Sequence, residues 1–89
     1  MDIRVEKLSE AEIKKRGIKE WPIWTKGVAR FPWTYDSTEE CLILEGEVTV
    51  ETADGKKVRF GAGDFVTFPE GLSCTWDIAK AVRKHYNFR

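Results

Sequence analysis

The chain reads as an all-β protein, a small barrel or sandwich with a short N-terminal helix, and three observations predict it. Short apolar segments alternate with polar residues at a period of two, turns of glycine and proline recur between them, and one early stretch alone carries helix signals. Eighty-nine residues make a single domain, because a chain of this length supports one core.

The elements follow in order. Ile3 and Val5 alternate with Arg4 and Glu6, the pattern of a short strand. Ser9-Glu-Ala-Glu12 is a capping box, in which the Ser9 hydroxyl accepts from the Glu12 amide while Glu12 reaches back. A short helix over Ala11–Arg16 follows, closed by Gly17 as its left-handed cap. Residues 1–20 therefore form a strand-and-helix arm, and residues 21–89 the barrel. Trp21-Pro22-Ile23-Trp24 reads as an edge strand, since Pro22 has no ladder donor. Val28–Tyr35 is rich in aromatics and bends at Pro32.

Cys41–Leu44 is a dense apolar run, and Val48 and Val50 alternate with Glu47, Thr49 and Glu51. Asp54-Gly55 predicts a type I′ hairpin, from which Val58 and Phe60 lead back. Gly61–Asp64 turns into a strand over Phe65–Phe68, and Pro69–Gly71 turns again. Cys74, Trp76 and Ile78 then alternate with Ser73, Thr75 and Asp77, and Val82–Phe88 supplies a last strand. Eight or nine short strands at this spacing define the fold class.

Charge narrows the choice of partners. Fifteen basic and fifteen acidic side chains cancel and are interspersed, whereas nucleic acid or an anionic membrane calls for a one-sided basic field. No apolar run approaches a membrane span, and the Met1-Asp-Ile-Arg-Val start has no signal-peptide core. Cys41 and Cys74 form no CxxC pair and read as reduced thiols, which together with the start predicts a cytoplasmic protein. The absence of Gln, the single Asn and the 34% of charged residues lean toward a thermophilic source. Proline-bearing edge strands and the aromatics near Trp21 and Trp24 predict a homodimer.

Two turn frameworks have a specific spacing: Glu39-x6-Gly46, and Gly63-x5-Pro69-x-Gly71, separated by one hairpin. In both, the chain resembles the cupins, small jelly-roll barrels whose first motif ends in that glutamate and glycine and whose second carries that glycine and proline frame. The resemblance implies a single-domain cupin barrel of the RmlC-like kind. More narrowly, Trp33-x-Tyr35, Cys41-x-Ile-Leu-Glu-Gly46, Gly63-Asp64, Phe68-Pro-x-Gly71-x-x-Cys74-x-Trp76 and Lys84-His-Tyr86 are similar to a group of small single-domain cupins of mostly unassigned function. That group is related to the metal-bearing domain of (S)-ureidoglycine aminohydrolase.

The resemblance also locates a departure. Where cupins place two histidines before the glutamate, this chain has Trp33 and Tyr35. Cys74 stands at the histidine of the second motif, and Ile78 at its closing asparagine. Of the four usual ligands Glu39 alone remains, with Cys74 as a replacement, and tryptophan is no metal ligand. No metal and no cofactor are therefore expected, and the aminohydrolase activity does not carry over.

Alternation puts Trp33 with Tyr35, and Cys74 with Trp76 and Ile78, on common faces that the cupin register turns inward. A carboxylate among these aromatics must find a partner or take up a proton, which singles out Glu39. Cys74 gains reactivity only beside Lys84 or His85. His85, the chain's one histidine, lies on the last strand within reach of pairing with Glu39 or Cys74. Three readings follow. The first is a metal-independent barrel binding a small aromatic or amphipathic molecule through Trp33, Tyr35, Glu39, Cys74 and Trp76. The second is an enzyme using Glu39 with His85 or Cys74. The third is a structural dimerisation module whose aromatics fill the barrel.

Overall fold

In the computed structural model, which describes residues 2–89, two long strands carry the architecture. Strands are numbered along the chain: β1 Arg4–Lys7, β2 Ile23–Lys26, β3 Ala29–Thr34, β4 Glu39–Thr52, β5 Lys57–Gly61, β6 Asp64–Phe68 and β7 Ser73–Phe88. Helix α1 spans Glu10–Lys15, and a single 3-10 turn spans Ile18–Glu20. All strands join one antiparallel sheet, in which β4 and β7 lie side by side at the centre. On its far side β4 pairs first with β6 and then with β5, while β7 pairs first with β3 and then with β2. The sheet rolls up around an interior built from β3, β4, β5, β6 and β7.

Seven strands thus replace the eight or nine expected, because segments that read as separate strands are continuous. The continuity depends on a bend. Residues Glu39, Cys41 and Ile43 of β4 point into the barrel, and so do Val48 and Val50. An odd series becomes an even one through irregular pairing between Ile43 and Val48. Gly46 sits in that bulge at φ 117°, where an added Cβ would lie 2.8 Å from the Ala81 carbonyl oxygen and 2.9 Å from the Val82 Cα. The glycine that closes the first motif is therefore the point at which β4 presses against β7.

A second, smaller core lies on the outer face. Ile13 of α1 and Ile18 pack on Leu42 of β4 and Phe65 of β6, with Leu8, Trp21 and Leu44 at its margin. The arm joins the sheet itself: β1 extends it along β6, with Lys7 paired to Asp64 at 2.7 Å. Just before β1, Ile3 packs toward the barrel core, while Val5 within the strand is exposed. Ser9 caps α1 by accepting from the Glu12 amide at 3.1 Å, but Glu12 turns forward to Arg16 at 3.3 Å rather than back, so half of the capping box forms. Gly17 follows at φ 65°, as its left-handed role requires.

The β4–β5 turn also differs in type. Among the described residues no non-glycine has positive φ, so Asp54 cannot occupy a type I′ position. Instead the Gly55 amide donates to the Thr52 carbonyl at 2.9 Å, and Gly55 takes the one left-handed position.

Candidate functional site

An opening in the barrel, of about 250 Å³, is lined by Trp24, Phe31, Trp33, Tyr35, Glu39, Trp76, Lys84, Tyr86 and Phe88. Strand register explains how these side chains meet. Phe31 lies opposite Trp76 on the paired β3 and β7, and their rings stack at 6.1 Å and 14°. Trp24 lies opposite Lys84 on β2 and β7. Lys84 also faces Ile43 across β4, so its long side chain runs along the inner wall toward Glu39 at the start of that strand. Trp33 and Phe88, 49% and 47% exposed, form the rim.

The polar centre is an ion pair. Lys84 Nζ donates to Glu39 Oε2 at 2.6 Å, with side chains only 6% and 5% exposed. The ammonium also lies 4.9 Å from the centre of the Trp24 ring and 4.8 Å from that of Trp76. Two ring faces and one carboxylate oxygen thus surround the positive charge and replace its lost water. Trp76 Nε1 donates to the Tyr35 hydroxyl at 3.1 Å. Burial foremost, and the nearby Glu39 charge after it, push the Tyr35 phenol far above its ordinary range, so it keeps its proton.

The sequence-predicted residues separate into two groups. Trp33, Tyr35, Glu39 and Trp76 all line the pocket. Cys74 is packed in the barrel core and borders a different, shallow polar cleft with Glu51, Thr52 and Ser73, where neither Lys84 nor His85 lies. Burial raises its pKa, which leaves it a thiol without an activating neighbour. Cys41 is the thiol that feels the charges of Lys84 and Glu39, yet burial dominates and pushes it up to about 12. His85 belongs to the other face: its Nδ1 is 2.9 Å from the Trp21 carbonyl oxygen, at the junction with the arm. The partner expected for Glu39 is therefore replaced by Lys84, one residue earlier. A signal for it was available. Cys74, Trp76, Ile78, Val82, Lys84 and Tyr86 keep one parity along β7, so alternation alone places Lys84 inside and His85 outside.

The surface argument for pairing also changes. Trp21 packs on Phe65 at 6.4 Å and Trp24 turns into the pocket, which leaves Ile23 and Val28 as the exposed apolar residues of that edge.

The cupin resemblance implies a metal held at Trp33, Tyr35, Glu39 and Cys74, and the residues present do not fit one. Trp33 offers no ligand atom, Tyr35 keeps its proton, and Cys74 is outside the pocket lining. Glu39 already neutralises a fixed ammonium, which would repel a second cation. Among the described residues no three His, Cys, Asp or Glu side chains come together as a ligand set.

Fold and site together define a small cupin barrel with an aromatic pocket and an internal ion pair. Residues 13–86 match the family model described as the EutQ-like cupin domain, and the chain belongs to that family. It is 48% identical to a DUF861 family protein from Thermotoga maritima, covering 99% of this chain and 100% of that one at a TM-score of 0.97. The Clostridium difficile EutQ protein aligns over 74% of this chain and 52% of its own, at 21% identity and a TM-score of 0.68. A putative ethanolamine utilization protein Q from Salmonella typhimurium aligns over 99% and 69%, at 24% identity and a TM-score of 0.67, and these last two likenesses bear on the fold. No curated protein matches the chain. Among the described residues, no helix is long and apolar enough to cross a membrane.

Proposed function

We propose that the barrel binds a small, ring-bearing amphipathic molecule without a metal. The observation that carries this reading is the Glu39–Lys84 pair on the floor of an open aromatic pocket. A buried ion pair stabilises a fold no better than a well-packed apolar pair of the same shape. Its position against an opening is better explained by recognition, because apolar walls with a few convergent polar groups are the usual make-up of a ligand site. The aromatics supply stacking area, and the pair supplies orientation.

Titration with a panel of one- and two-ring compounds, read by tryptophan fluorescence and thermal shift, tests the proposal. Trp24 and Trp76 flank the pair, so a saturable change in emission together with a raised Tm is the expected result. Lack of any saturable response would overturn it, as would a response that survives both Trp24→Ala and Trp33→Ala.

The enzyme reading with Glu39 and His85 has no support from the geometry, since the two side chains occupy opposite faces of the sheet.

A further inference from the structure

The proposed pocket has a polar floor whose unused hydrogen-bonding capacity is specific. An ammonium has three N–H donors, and a carboxylate accepts at both oxygens. In this pair a single bond, Nζ to Oε2, joins them. Nζ otherwise faces the rings of Trp24 and Trp76, which attract its charge without accepting as an oxygen would. Among the described residues no hydrogen bond to Glu39 Oε1 accompanies it. Among the described residues no fully sealed side-chain N or O lacks a partner, so Oε1 opens toward the pocket that Glu39 lines. The floor thus presents a donor and an acceptor side by side, on a pair with no net charge.

Resting on the ligand-binding reading above, we infer that the ligand class is a neutral ring carrying an adjacent carbonyl and N–H, such as a primary aromatic amide or a lactam, with its C=O on Lys84 Nζ and its N–H on Glu39 Oε1. Electrostatics decides among the alternatives. A ligand carboxylate would approach Lys84 only by coming against Glu39, whose charge Lys84 already neutralises. A ligand ammonium would reach Glu39 only by crowding the Lys84 cation. Both place like charges together in surroundings too dry to screen them. A neutral amide edge meets both groups with matching partners and brings no charge to desolvate. Its ring then lies among Phe31, Trp33, Tyr86 and Phe88.

Three probes of similar size test this: benzamide, benzoate and benzylammonium. Wild-type protein is expected to bind benzamide on the order of tenfold or more tighter than either charged probe, a difference of about 1.4 kcal/mol. Glu39→Gln leaves Lys84 unopposed and should move benzoate to first place. Lys84→Met leaves Glu39 unopposed and should move benzylammonium there. A charged probe outranking benzamide on the wild type overturns the assignment while leaving the pocket intact, as does binding of other ring compounds when all three probes are silent. If no compound binds saturably, the ligand-binding reading fails as well. Should Lys84→Met not fold, the wild-type ranking and Glu39→Gln decide the question.

Discussion

Lys84 and His85 are consecutive on β7 and almost equally buried, yet they belong to different halves of the molecule's chemistry. Lys84 turns into the barrel, where its charge is met by Glu39 and two indole rings. His85 turns outward and meets the Trp21 carbonyl, where the arm joins the sheet. The inner environment is open and carries a charge pair on its floor, and the outer one is closed by Ile13, Ile18, Leu42 and Phe65. A strand that alternates faces can thus place a recognition group and a structural group one residue apart. Burial alone does not distinguish them, but what each side chain touches does.

The largest effect is expected from breaking the inner pair. Lys84→Met leaves Glu39 buried without its partner and should lower stability in denaturant titration by about 3 kcal/mol or more. Adding Glu39→Gln to it removes the stranded charge and should recover part of the loss. A double variant less stable than the single one would show that the pair is not coupled as described. Next comes the pivot that sets which residues face inward. Gly46→Ala should cost about 2 kcal/mol or more, because the backbone is left-handed there and the new methyl meets the backbone of β7. An unchanged midpoint of unfolding would show that β4 crosses β7 less tightly than described.

Alkaline pH acts on the inner face next. The Cys41 thiol rises from 9.0 to about 12 on folding, so the unfolded chain loses this proton at lower pH than the native one does. The stability it contributes is complete below pH 9 and is lost as pH rises toward 12, by at most about 1.4 kcal/mol per pH unit. Tyr35 titrates in the same direction. Cys41→Ala should flatten the slope of stability against pH between 9 and 12, and an unaltered slope would contradict the assignment. On the outer face, His85→Ala should cost about 1–2 kcal/mol through the lost bond to Trp21 and leave pocket binding unchanged. Reduced affinity with intact stability would mean that the two faces communicate. The smallest stability change is expected at the rim, where Trp33→Ala should stay within about 0.5 kcal/mol while weakening ring ligands.

Much of this arrangement was legible from residue order. The Glu39–Gly46 and Gly63–Gly71 frames located the barrel, because backbone turns impose spacing on glycine and proline whatever the ligand. Alternation put Tyr35, Trp76 and Ile78 on faces that are buried in the fold. Two things were hidden. The change of parity at Gly46 depends on a contact with Ala81 and Val82, far along the chain, which no local pattern records. The Glu39–Lys84 pair joins the start of one strand to the far part of another, so the order of residues offered Lys84 as a neighbour of Cys74 and His85 as the partner of Glu39. The half-formed capping box has the same origin in miniature: Glu12 had two partners within reach, and Arg16 won.

The pairing of β7 also bears on how the molecule forms. The last strand in chain order is the partner of β2, β3 and β4, and β2 and β3 have no other neighbour in the sheet. Until Ser73–Phe88 is available, the segments carrying Trp24, Phe31 and Trp33 have nothing to pair with, and the pocket has only fragments of a wall. Folding must close long loops before these contacts can reward it, which places the barrel among slow, all-or-none folders rather than those that assemble piece by piece.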